Sequence, residues 1–303
     1  MDTKLFVRRQ PGGLFSVIDK SVVTGSIFWV NSDTGTDGEG FGQNPNAPIA
    51  TIDYAIGLCT ADAGDVIYVM PGHAEDVLSA TGLLCDVAGV AIIGLGRGTK
   101  QPKVSLTTAA GATISITAAN VTVENIWLHS NFTNGVTAGV TVAATGDGFT
   151  LEGMKFTEET NAKEFLIGVS VATTVSDGVI RNCRYHGTAG GDTSSIIDSA
   201  GAASGLIIED NYLHGDCSAA AVKLDTAAIT DLQVINNRVI NIDAAAGLGI
   251  DTHAGSTGMM ADNHVANLRD TVVGLSGAGM AYSQNYASNA LNASGIILPA
   301  VDS

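Results

Sequence analysis

A short phrase returns about once every 26 to 29 residues through the C-terminal two-thirds of this 303-residue chain. It reads Val121-Thr-Val-Glu-Asn125, Phe149-Thr-Leu-Glu-Gly153, Val179-Ile-Arg-Asn182, Ile207-Ile-Glu-Asp-Asn211, Val234-Ile-Asn-Asn237, Met260-Ala-Asp-Asn263 and Ala281-Tyr-Ser-Gln-Asn285. Measured between Asn125, Gly153, Asn182, Asn211, Asn237, Asn263 and Asn285, the steps are 28, 29, 29, 26, 26 and 22 residues. A period of that size marks a solenoid, whose units are too small to bury an apolar face alone and become stable by stacking.

Between these phrases lie second β-rich runs, among them Ala112-Thr-Ile-Ser-Ile116, Gly139-Val-Thr-Val142, Ile167-Gly-Val-Ser-Val171, Ser195-Ile-Ile197, Ala221-Val-Lys-Leu224 and Gly247-Leu-Gly-Ile250. Short β-branched runs bounded by Gly, Asn, Asp and Ser read as strands between turns, and no segment after residue 100 has helical periodicity. Two or three strands per coil without a helix predict an all-β, right-handed, single-stranded parallel β-helix. A residue that tolerates left-handed backbone angles is needed at a tight turn, and a stacked Asn can bond the Asn of the next coil. Asn125, Asn182, Asn211, Asn237, Asn263 and Asn285 are therefore expected in one ladder, with Gly153 filling the turn in the remaining coil.

The N-terminal part, Ile27-Phe-Trp-Val-Asn-Ser-Asp-Thr-Gly-Thr-Asp-Gly38, then Asn44-Pro-Asn-Ala-Pro-Ile-Ala-Thr-Ile-Asp-Tyr-Ala-Ile56, then Ala63-Gly-Asp-Val-Ile-Tyr-Val-Met-Pro-Gly72, resembles the opening of right-handed parallel β-helix proteins of the pectate-lyase-like superfamily. The resemblance implies a capping helix over 49–60 and a first rung over 65–70, and counting the phrases near Val66 and Val90 with the seven above gives nine coils. At about 4.8 Å per rung these make a rod about 40 Å long. Residues 1–26 read as an arm for attachment or oligomerisation, with a Gly12-Gly13 hinge, and 27–303 as one β-helix domain with its cap over 27–64.

Charge narrows the function. With 14 basic against 30 acidic residues the net charge is −16, which argues against nucleic acid, an anionic membrane and, without a bridging divalent cation, a polyanionic sugar. Cys59, Cys85, Cys183 and Cys217 have no metal-ligand spacing and read as core thiols. Met1-Asp-Thr-Lys-Leu-Phe-Val-Arg-Arg carries no leader pattern. Secreted enzymes ordinarily have one, whereas a virion protein assembled in the host cytoplasm needs none.

Three constellations could carry chemistry. Asp198, Asp225 and Asp251 recur at 27 and 26 residues; stacked about 5 Å apart they would bind a cation such as Ca2+, serve as paired carboxylates in glycoside hydrolysis, or simply end strands in Asx turns. His129, His186 and His214 share a position relative to the turn, with His253 and His264 set elsewhere. Tyr212, Arg238, His264 and Tyr286 each follow a ladder Asn and would form a column able to stack on sugar rings or merely flank the turn.

The catalytic signatures of polygalacturonase-like hydrolases and pectate lyases are absent as sets, and Ile250-Asp-Thr-His253 is a faint echo only. The resulting expectation is a non-catalytic structural protein of a bacteriophage particle: a capsid decoration, head-fibre or spike-like subunit, with capsid as a partner and a surface glycan as a further one. The alternative is a carbohydrate-active enzyme, lyase or hydrolase, or a glycan-binding adhesin, found outside the cell. Adjacent apolar pairs (Ile196 and Ile197, Val272 and Val273, Ile296 and Ile297) cannot both face one core in a regular strand. Together with the habit of phage β-helices, they suggest a homotrimer.

Overall fold

The structure is a computed structural model that describes residues 8–10, 13–15, 23–243, 245, 247–267, 274–277, 279–290 and 293–296. The chain winds through three parallel sheets, visiting each once per coil. Sheet 1 has ten strands, from Ile27–Val30 to Ala281–Ser283. Sheet 2 also has ten, nine from Ala74–Val77 to Tyr286–Ala290 and then Ala293–Ile296 added antiparallel. Sheet 3 has eight, from Leu84–Cys85 to Leu275–Ser276. The parallel β-helix read from the repeat is the fold, with eight complete coils among the described residues and a ninth that lacks its strand in sheet 3.

Alternation explains why each strand sits where it does. In Lys103–Leu106, Val104 and Leu106 are buried while Lys103 and Ser105 point outward, as the period of two requires. Stacking gives inward columns of Val, Ile and Leu. The middle of the core is thickened by Phe149, Phe156, Phe165 and Tyr185, the last three with ring centroids about 6 Å apart.

The cap is smaller than expected: the helix spans only Ile52–Ile56. Thr51 caps it by accepting the Tyr54 N–H at 3.3 Å, and the Asp37 carboxylate accepts the N–H groups of Ala50 and Thr51 at 2.9 and 3.0 Å. Gly57 ends it. One and a half turns suffice to lay Ile52, Ala55 and Ile56 over the end of the core, which would otherwise face water.

The expected Asn ladder is two adjacent columns. Strand register aligns Asn125 with Gly153, Asn182, Asp210, Asn236, Asp262 and Gln284, and all seven have positive φ, from 47° to 62°. The next column, pointing inward, contains Ile126, Met154 and Cys183, then Asn211, Asn237, Asn263 and Asn285. Asn125 and Asn182 therefore occupy the turn without joining the ladder. The side chains of the last four bond in series: Asn211 Nδ2 donates to Asn237 Oδ1 (2.9 Å), Asn237 to Asn263 (3.0 Å) and Asn263 to Asn285 (2.9 Å). Tolerance of left-handed φ and amide stacking are separate tasks performed by neighbouring residues.

One further expectation changes. Ile196 and Ile197 are both buried, in a strand whose register against the preceding coil is constant, Ser195 and Ile197 pairing with Ile167 and Val169. They expose no apolar wall. Val272, Val273 and Ile297 lie outside the described residues, as does most of 1–26, where Arg8–Gln10 and Gly13–Phe15 form a two-stranded antiparallel hairpin.

Candidate functional site

Sheet 3 presents one outward column whose register is set by the inward residues Val169, Ile197, Val222 and Ile250. It runs Ser115, Thr141, Ser170, Asp198, Lys223, Asp251 and Ser276. The expected stack of three aspartates is thus corrected. Lys223 takes the middle place, and Asp225 follows the end of its strand, Ala220–Leu224. Equal spacing misled because turn lengths differ between coils. The better signal was the apolar residue just before each outward position, as in Ile197-Asp198, Val222-Lys223 and Ile250-Asp251.

The ammonium of Lys223 lies 3.3 Å from Asp198 Oδ1 and 3.3 Å from Asp225 Oδ1, and donates to Thr226 Oγ1 at 3.0 Å. Its ammonium thus lies among the carboxylates that the sequence reading offered as a cation site. Among the described residues no group of three or more His, Cys, Asp or Glu side chains is arranged to hold a metal ion. Burial acts to lower the Lys223 pKa but is outweighed by Asp198 and Asp225, which raise it above the ordinary lysine value. Lys223 is therefore a fixed cation and not a base. Asp251 is different: burial, opposed by a hydrogen bond with Ser276 and reinforced by Asp225, raises its pKa above the usual 3.8. The site holds one carboxylate paired with an ammonium and another that retains its proton more readily.

Sheet 2 gathers the basic and aromatic residues. Its first outward column is Lys103, Trp127, Lys155, Arg184, Tyr212, Arg238, His264 and Tyr286. The expected column of Tyr212, Arg238, His264 and Tyr286 is in register and is only its last half. Lys155 Nζ and Lys103 Nζ lie 3.8 and 4.9 Å from the Trp127 ring centroid, and the Arg238 guanidinium 5.7 Å from that of Tyr212. The neighbouring column holds His129, Thr157, His186 and His214. The three histidines do share a side of the rod, and His264, expected elsewhere, lies on the same sheet.

Thr157 Oγ1 accepts the Trp127 Nε1–H at 2.7 Å and lies 3.0 Å from His129 Nδ1, so His129 Nε2 donates to Glu159 at 3.1 Å. Burial and Lys103 lower the His129 pKa, with Glu159 opposing. His214 is lowered by burial and by His186, stacked on it at 5.1 Å.

The four cysteines are free thiols. Burial raises Cys59 and Cys183 to about 12 and Cys85 and Cys217 further, so all remain protonated and unreactive at neutral pH.

No protein-family model matches the chain, and no curated protein matches it in sequence. Solved structures do. A rhamnogalacturonan lyase superposes with a TM-score of 0.61 at 12% identity, over 88% of this chain and 74% of that one. A lacto-N-biosidase of family GH136 from Eubacterium ramulus gives 0.60 at 14% over 87% of this chain, which spans only 56% of the biosidase chain. A second structure of that biosidase gives 0.54 at 12%. At such identity the likeness carries the fold alone, a parallel β-helix. It also corrects the expectation of a non-catalytic bacteriophage structural protein. That expectation rested on the absent leader pattern and the absent catalytic signatures, whereas the structures matched are a rhamnogalacturonan lyase and a lacto-N-biosidase, which back the alternative.

Proposed function

We propose that this chain is a carbohydrate-active enzyme of the glycoside hydrolase type, working at the outward column of sheet 3. The observation that carries the proposal is the unequal pair Asp198 and Asp251 on either side of Lys223. Two rungs separate them, about 9–10 Å between strands, at the upper end of the roughly 6.5–9.5 Å that inverting hydrolysis uses to fit a water beside the sugar. Asp251, whose pKa burial raises above the ordinary carboxylate value, is assigned as the general acid that gives its proton to the glycosidic oxygen as the C–O bond breaks. Asp198 takes a proton from the water that attacks the anomeric carbon. Lys223 fixes Asp198 and offsets the negative charge of the cluster. The lyase and biosidase folds support the same class of substrate without assigning a residue.

The test is release of reducing ends from pectic, alginate and neutral polysaccharides, with NMR of the first-formed anomer. Asp198→Asn and Asp251→Asn should each lower kcat by about 10²–10⁴-fold, with an inverted product. Turnover that survives in the double variant, or a wild type inactive on all three classes, overturns the proposal.

A further inference from the structure

Sheet 2 carries a feature that the sheet 3 chemistry does not use. Four of the chain's 14 Lys and Arg residues, Lys103, Lys155, Arg184 and Arg238, stand in its first outward column. None of the four is in an ion pair among the described residues. From Lys103 to Tyr286 neither outward column of this sheet contains a carboxylate. The corresponding column of sheet 1 is opposite in sign, reading Glu124, Glu152, Arg181 and Glu209. A chain of net charge −16 has thus concentrated unneutralised cations on one wall.

The aromatic rings on that wall are placed to work with them. Tyr212 and Tyr286 are 37% and 38% exposed, large for rings of this size. They stand three rungs apart, about 14 Å. Arg238 lies over Tyr212, and His264 is 5.1 Å from Tyr286. Between and beside them is a shallow groove lined by Arg238, Ile240, His264, Ala266, Tyr286 and Ser288.

We propose that this strip is a binding site for an extended anionic polysaccharide of the uronate-bearing class, lying along the rod axis. Carboxylates on the sugars meet Arg184, Arg238 and the lysines, and pyranose faces rest on Tyr212 and Tyr286. Arg suits a planar carboxylate because its fork bonds both oxygens. A single-stranded nucleic acid would use the same residue types. The observations favour the uronate polymer, because four cations in eight rungs match a sparse charge and the remaining surface repels a dense one. That the polymer is a glycan rests on the carbohydrate reading above; the strip and its charge preference do not.

The experiment is titration calorimetry of the purified chain with oligogalacturonate, a neutral β-glucan oligosaccharide and oligo(dT), using wild type, Arg184→Ala/Arg238→Ala, Tyr212→Ala and Asp198→Asn/Asp251→Asn, with thermal melts to confirm that each variant is folded. Oligogalacturonate should bind wild type in preference to the neutral oligomer, and more weakly as salt screens the charges. The double arginine variant and Tyr212→Ala should each lose about tenfold or more in affinity, while the double Asn variant binds as wild type. Equal binding of the neutral oligomer, tighter binding of oligo(dT), no binding by wild type, or loss only in the Asn variant overturns it. Failure of the hydrolase proposal is distinguishable, since it removes turnover and leaves these affinities unchanged.

Discussion

At the scale of single residues, the turn between sheets 1 and 2 separates two properties of asparagine. Asn182 is exposed and has a φ of 54°, a conformation that costs most L-residues about 1–2 kcal/mol. Asn237 is buried and has its Oδ1 shared by the N–H and Nδ2 of Asn211, while its own Nδ2 donates to Ile208 O and Asn263 Oδ1. Asn237→Leu should therefore cost about 2–3 kcal/mol or more by stranding buried partners, and Asn182→Ala about 1 kcal/mol by backbone strain alone. Urea unfolding of both variants checks this, and equal losses would contradict the division of roles. Asp251 gives a pH prediction. Its folded pKa is raised, so its contribution to stability is present below the unfolded value near 3.8 and is lost as pH rises through the folded value. Turnover that needs its proton should fall over the same window, and pH–rate profiles should show the alkaline limb move in Asp251→Asn.

At the scale of elements, register decides what the sequence spacing left open. The strand pair Trp127–Ser130 and Lys155–Glu158 is tied on its outer face by Trp127, Thr157 and His129, with Glu159 just beyond. Because burial and Lys103 depress the His129 pKa, the fold favours the neutral ring. The stability this gives is present above the unfolded value of about 6.5 and is lost as pH falls through the folded pKa. Melting temperatures should drop on acidification below about pH 6.5, and His129→Asn should flatten that part of the curve; an unchanged slope would sink the assignment. The inward neighbours show the same dependence on register. Tyr185, fully buried, donates to Glu158 Oε1 at 2.5 Å, and Glu158 also accepts the Thr188 N–H at 2.6 Å. These residues are far apart in sequence, and only the stacking of coils brings them together.

At the scale of the whole molecule, stability in a solenoid is a sum over coils and their interfaces, so it need not be uniform. The middle coils contain Phe149, Phe156, Phe165 and Tyr185, whereas the later ones place Gly249 and Ala287 at inward positions. Less apolar area is buried per coil there. Hydrogen exchange should accordingly be slower in Thr150–Glu152, Lys155–Glu158 and Ile167–Val171 than in Leu248–Thr252, His264–Asn267 and Ala281–Ser283. Uniform protection along the rod would mean that it opens as a single cooperative unit instead. The distribution of charge is also a property of the whole rod: sheet 1 carries an acidic column and sheet 2 a basic one.

The sequence by itself determined the solenoid, its approximate coil length, the strand-forming runs and the left-handed turn at Gly153, because these depend on local periodicity and backbone allowance. It also placed Tyr212, Arg238, His264 and Tyr286 together, since the steps between their coils share a common turn of fixed length. Only the tertiary structure decided that Lys223 and not Asp225 stands between Asp198 and Asp251, and that Asn211 stacks on Asn237 while Asn182 does not. Both outcomes turn on a shift of one or two residues. Such a shift is set by how each turn accommodates its length while the inward apolar side chains stay in the core, a condition that is satisfied between coils and leaves no mark within any one of them.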